Sequence, residues 1–172
     1  MSNVVDPRRG SLSVVDALDD ALRVIASLND AGVDYVVVGG VALNILGLVR
    51  ATEDLDIFVR PDPDNIHRLR IALKAVWADP DIEQITAEDL CGDYPAVRYG
   101  PPEGTLYLDI LTRLGEATSY SDLQAQEKEV AGVRVRVATP ETLYRMKRST
   151  VRPIDRADAA ALRSAFHFRE DE

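Results

Sequence analysis

"YVVVGGVALNILGLVRATEDLDIFV", residues 35–59, passes from an apolar run through two glycines and returns to an apolar run that carries Asp54 and Asp56. Tyr35 to Val38 reads as a buried strand, Gly40 to Leu48 as a short helix and Leu55 to Val59 as a second strand. Strand side chains alternate faces, so Asp54 and Asp56 point one way while Leu55 and Ile57 point toward a core. Adjacent carboxylates raise one another's pKa unless a cation lies between them. Magnesium suits such a pair, because it takes one or two carboxylates and fills its shell with water and substrate phosphates. The alternative is a pair of solvated acids at a strand end. Gly39-Gly40 bears on the choice. Glycine lets backbone N–H groups approach an anion, and a helix N-terminus favours negative charge there.

Working outward, Asp109 sits between Leu108 and Ile110 in "LYLDILTR", a segment too apolar for plain surface. Paired with the 55–59 strand, it would join the first two acids; unpaired in that way, it is an edge-strand acid. Carboxylates so placed can hold a second ion and activate an attacking hydroxyl. "YPAVRYG" and "TLYLDILTR" read as a hairpin across "PPEG", and "EKEVAGVRVRVAT" as another around Ala131-Gly132. "GEATSYSDLQ" reads as a loop, and residues 80–93 mix turn signals with a helical turn.

Helical periodicity runs from Leu12 through Leu28, with Asn29 and Gly32 as its stop. A second helix follows Asp64 as cap and extends to about Trp77. "PETLYRMKRST" opens a helix on proline, and a last helix spans roughly Ile154 to Phe168. Residues 1–10 read as a flexible N-terminal tail and 11–172 as a single domain. His67 and His167 read as exposed, and Trp77 as packing rather than a base platform.

A single cysteine, Cys91, and two distant histidines provide neither an internal disulfide nor a zinc framework, which fits a cytoplasmic protein. No apolar run is long enough to span a membrane. Net charge is −9, which argues against a broad nucleic-acid-binding face; the 20 Lys and Arg residues still allow a local basic strip.

"GGVALNILGLVRATEDLDI" followed by "LYLDIL" resembles the nucleotidyltransferases of the DNA polymerase β superfamily. The form "GGxAL…RxTxDLDI" is similar, more narrowly, to the AbiEii/MenT-type toxin–antitoxin group. "VRVATPETLYRMKRSTVRPIDRADAAAL" resembles that group's ending, so the likeness covers roughly residues 33–165. The resemblance implies an α+β (mixed α/β) nucleotidyltransferase fold: a mixed sheet of about five strands with helices mainly on one face.

It also implies that Gly39 and Gly40 cradle a triphosphate and that Asp54, Asp56 and Asp109 are the metal-holding, catalytic acids. The metal would be magnesium, with manganese as its substitute, and the substrate an NTP. Lys147 would serve catalysis and contact phosphates, a role suited to a compact ammonium. Arg50 and Thr52 would touch the β and γ phosphates, and Arg152 and Asp158, which with Asp155 match the terminal motif, would join the nucleotide-binding residues. Asp155 and Asp158 are equally readable as acids favoured at a helix start. A glycine at position 40 replaces the serine of many polymerase-like members, and Thr52 occupies the place where some toxins of the group are silenced by phosphorylation. The acceptor implied is the 3′ end of tRNA, with a cognate antitoxin as partner. Small-molecule transfer of the antibiotic type, protein nucleotidylation and a non-catalytic nucleotide-binding partner of the same fold are the alternatives.

Overall fold

The computed structural model of the chain describes residues 14–169. The N-terminal tail expected at 1–10, and Leu12 of the first helical stripe, lie outside the described residues. The elements run α1 (Val14–Asp30), β1 (Tyr35–Val38), α2 (Gly39–Ile45), β2 (Asp54–Val59), α3 (Pro63–Val76), a 3₁₀ turn (Pro80–Gln84) and α4 (Ala87–Cys91). They continue with β3 (Ala96–Tyr99), β4 (Tyr107–Leu111), β5 (Arg113–Leu114), β6 (Thr118–Ser119), a 3₁₀ turn (Tyr120–Asp122), β7 (Ala125–Val130), β8 (Val133–Ala138), α5 (Pro140–Arg148) and α6 (Pro153–Phe166).

The β-branched run of β1 is buried along its whole length and lies inside a six-stranded mixed sheet of order β3-β4-β2-β1-β8-β7. β1 pairs antiparallel with β2 and parallel with β8, and β2 pairs parallel with β4. The hairpins expected across residues 94–113 and around Ala131-Gly132 are both present. In the second, Ala131 and Gly132 both have positive φ, as a two-residue turn matching strand twist requires. The outermost β7 alternates Glu127, Lys128 and Glu129, charges that discourage edge-to-edge pairing with another chain.

α1 and α3 pack on each other and join Leu55, Ile57, Leu108 and Ile110 in one hydrophobic cluster. Trp77 is buried there against Tyr99, the packing role expected of it, and both histidines are exposed. No helix among the described residues is long and apolar enough to cross a membrane.

Several boundaries differ from the expectation. The sheet has six strands rather than five, with β5 and β6 forming a separate ribbon where a loop was expected. Two-residue strands carry too little alternation to be read. The helix after β1 starts at Gly39 and ends at Ile45, because Asn44 turns back to bond the Arg50 backbone and closes the loop early. Asp62, not Asp64, caps α3: its side chain accepts the Asn65 N–H, and Pro63 follows as a first-turn residue with no N–H to satisfy.

Asn65 itself is fully buried and ties three backbone groups. Its Oδ1 accepts the Asp34 N–H, and its Nδ2 donates to the carbonyls of Asp34 and Arg60, the residues flanking β1 and β2. Replacing Asn65 with alanine strands those groups away from water, so Asn65→Ala is expected to lower unfolding free energy by about 2–4 kcal/mol. Urea titration checks this; a loss below about 0.5 kcal/mol would show that water replaces the clamp.

Candidate active site

The parallel register of β2 and β4 sets Asp56 beside Asp109 and Asp54 beside Tyr107. Alternation then places Asp54, Asp56, Tyr107 and Asp109 on one face, while Leu55, Ile57, Leu108 and Ile110 are fully buried on the other. The two acids of β2 and the acid of β4 therefore meet, as the apolar context of Asp109 suggested. All three are half-buried. Burial, then the charges of Asp109 and Asp54, pushes the Asp56 carboxyl from its ordinary 3.8 up to about 6, against the pull of Lys147 and Arg98. Asp109 is also pushed up, by burial first and by Asp54, with Arg98 acting the other way.

Gly39 and Gly40 serve this arrangement sterically. A Cβ on Gly39 would collide with the Asp56 carboxylate, and φ at Gly39 is +69°, a backbone state that a larger residue enters at a cost. A Cβ on Gly40 would lie 2.8 Å from Cβ of Thr52. The glycines thus let the Asp56 side chain and the loop before β2 close onto the start of α2. Thr52 turns its hydroxyl back on the strand, donating to the Asp54 carbonyl at 3.1 Å and accepting the Asp54 N–H at 3.3 Å.

Arg98, which the sequence reading passed over, stands opposite Asp109 on β3. Its Nη2 donates to Asp54 Oδ1 at 2.9 Å and its Nη1 to Asp109 Oδ2 at 3.3 Å. Its guanidinium also lies 4.7 Å from the Tyr107 ring centroid. The signal for it was a lone basic residue in a strand predicted to pair with the Asp109 strand.

The remaining candidates form a second cluster. Lys147, in the last turn of α5, donates to Asp155 Oδ1 at 3.0 Å and to Asp158 Oδ2 at 2.8 Å. Asp158 also accepts from Arg50 Nε at 3.1 Å, while Asp155 accepts from the Thr150 hydroxyl and faces Arg152 at 3.7 Å. Burial works upward on Asp155, but the Lys147 hydrogen bond and charge, then Thr150 and Arg152, hold its carboxyl below the ordinary range. Asp155 is thus an ion-pair partner as well as a first-turn acid of α6, whereas Asp158 lies beyond the first turn and the helix-start reading does not apply to it. The backbone of Arg50 is fixed by Asn44, which also went unread. Lys147 is only 12% exposed, so a local basic strip on this side would draw on the exposed Arg145, Arg148 and Arg152 rather than on Lys147.

Three carboxylates are hard oxygen donors of the kind a magnesium or manganese ion accepts, so the donor chemistry fits a divalent cation. Among the described residues no three acidic, histidine or cysteine side chains are gathered tightly enough to grip one, with Arg98 held by two of the acids instead.

A mixed sheet that brings carboxylates of parallel neighbouring strands onto one face, above a strand that turns through Gly-Gly into a helix, is the architecture of a nucleotidyltransferase. The family described as nucleotidyl transferase AbiEii toxin, type IV toxin–antitoxin system, matches residues 20–161, and the chain belongs to that family. No curated protein matches the chain.

Solved structures share the fold. An antigenic nucleotidyltransferase-like protein from Paracoccidioides brasiliensis is 17% identical with a TM-score of 0.58, over 90% of this chain and 78% of that one. The antibiotic-resistance factor ANT(2″)-Ia is 15% identical with a TM-score of 0.51, over 90% and 93%. JHP933 from Helicobacter pylori is 22% identical with a TM-score of 0.50, over 94% and 72%.

Two outcomes follow from the charges. Removing Lys147 takes from Asp155 and the buried Asp158 the ammonium they share, so Lys147→Ala is expected to cost roughly 3 kcal/mol of stability, measured by urea denaturation. For Asp56 the sign is opposite to that of a salt-bridged acid. Below about pH 4 it is protonated in both folded and unfolded chains, and between 4 and 6 only the unfolded chain ionises. Metal-free stability therefore falls as pH rises through this window, by up to about 3 kcal/mol from this group. Asp56→Asn should remove that loss, melting above the parent at pH 8 and converging with it near pH 4. Parallel melting curves for parent and variant would contradict the assignment.

Proposed function

We propose that the chain is a magnesium-dependent nucleotidyltransferase that moves a nucleoside monophosphate from an NTP to the 3′ end of tRNA, as a toxin with a cognate antitoxin in the cytoplasm. The observation that carries the catalytic reading is the register of Asp56 with Asp109, which puts three carboxylates on one sheet face. The fold unit is proposed to be a single domain spanning residues 11–172.

Asp54, Asp56 and Asp109 would hold the metal, which when bound neutralises charge on the attacking and leaving oxygens. The backbone at Gly39 and Gly40 would take the triphosphate, with Arg50 and Thr52 toward its β and γ phosphates. Lys147 has two of its three N–H donors spent on acids, leaving one for a phosphate. Asp109 would accept the proton of the attacking hydroxyl, a role favoured by its raised pKa. The acceptor oxygen then bonds to the α-phosphorus as the bond to pyrophosphate breaks. Arg152, with Arg145 and Arg148, offers exposed cations to a polyanionic acceptor, while Asp158 keeps Arg50 and Lys147 in place.

Net charge favours a second reading. A chain of −9 attracts a cationic small hydroxyl compound more readily than RNA, so a small acceptor is the competing substrate class.

Incubation with labelled NTPs and magnesium, in the presence of total RNA, cationic hydroxyl compounds or lysate protein, separates the acceptors. Label in tRNA supports the first reading, a labelled small molecule the second, and a labelled polypeptide overturns both. Asp54→Asn is expected to lower transfer by roughly a hundredfold or more while melting cooperatively. Full activity in that variant would refute the metal-carboxylate mechanism.

A further inference from the structure

Arg98 answers to a different logic from the other cations near the site. Arg50 and Lys147 are tied to Asp158, with Lys147 also on Asp155, on the C-terminal helices. Arg98 sits on an edge strand and spans Asp54 and Asp109, which belong to two different strands. A planar guanidinium with five donors is suited to bridge two carboxylates in this way. Its side chain is 54% exposed, so solvent screens both pairs and each is weak. The opposing charge is large: three carboxylates share the face, and one half-exposed guanidinium does not balance them. A dication carries twice the charge in a smaller volume and would take the same oxygens. The Tyr107 ring, 44% exposed and 4.7 Å from the guanidinium carbon, gives Arg98 a second contact that does not depend on the acids.

We propose that Arg98 is the resting counter-ion of the carboxylate face, bridging Asp54 and Asp109 in the metal-free protein and released from both when a divalent cation is taken up. This rests on the metal-site reading of the three acids. Metal affinity is then a competition, weaker than the carboxylates would show by the fraction of time the bridge is closed. The released guanidinium, still over Tyr107, is a free cation at the rim of the site for the phosphates that arrive with the metal.

Calorimetric titration with Mn²⁺ of the parent, Arg98→Gln, Arg98→Lys and Asp54→Asn tests this without any turnover. Arg98→Gln is expected to bind Mn²⁺ about five- to tenfold more tightly than the parent, and to show a larger rise in melting temperature on Mn²⁺ addition. Arg98→Lys, which keeps the charge but loses the fork, should fall between the two. Should Arg98→Gln fail to fold, Arg98→Lys alone still reads out the bridge. Binding unchanged or weakened in both Arg98 variants, but lost in Asp54→Asn, overturns the counter-ion role and leaves the metal site standing. Absence of Mn²⁺ binding in the parent and both Arg98 variants overturns the metal site and the counter-ion role together.

Discussion

Three carboxylates forced onto one face of a sheet is the constraint around which the rest of the molecule is arranged. Hydrophobic burial creates it: Leu55, Ile57, Leu108 and Ile110 go inward, and strand alternation leaves Asp54, Asp56 and Asp109 no choice but to share the opposite side. A register slip of one residue in either strand would relieve the repulsion and at the same time turn out that strand's two fully buried side chains, Leu55 and Ile57 or Leu108 and Ile110. At about 1.5–3 kcal/mol for each large apolar side chain, burial outweighs the repulsion of half-exposed acids. The apolar face therefore holds the acids in proximity, and the Asp56 and Asp109 carboxyls are pushed up by burial first and by their neighbouring carboxylates second.

The surroundings moderate that repulsion from two directions. On the β3 side Arg98 supplies a positive charge paired with Asp54 and Asp109. On the other, Asp158 holds Arg50 and Lys147 in a buried cluster that joins the last helix to the loop entering β2. Asn44 secures the Arg50 backbone, and Thr52, two residues on, packs over Gly40. Helix α6 thus holds the loop entering β2 from 108 residues away in the chain. Ion pairs of this buried kind contribute little net stability but fix where the loop sits.

Much of this was legible because it is local or periodic. The Asp-x-Asp alternation, the Gly-Gly break and the apolar flanks of Asp109 each lie within a few residues and translate directly into strand and turn geometry. Arg98 was not, since residues 100–106 connect β3 to β4 through a loop too long for the register to be counted from a turn type. Asn44 and Asn65 were missed for a related reason. Each sits in a helix where asparagine ordinarily faces solvent, and its partners belong to other segments. The Lys147 pairing depends on how α5 and α6 cross, which neither helix's own pattern specifies.

The same distinction governs how the overall charge should be weighed against an RNA acceptor. A net −9 describes the whole surface, but at physiological ionic strength charges beyond about 8 Å of one another are largely screened. What a phosphate backbone meets is the local set. Around α5 and α6 that set includes exposed Arg145, Arg148 and Arg152 and exposed Glu141, while Asp155 and Asp158 are paired with Lys147 and Arg50. Two of the acids in this region, Asp155 and Asp158, are thus withdrawn from the surface, while Glu141 on α5 and Asp122 beside Arg145 stay exposed. Lys147, by pairing with both, keeps their charge from adding to that of the exposed acids on this side.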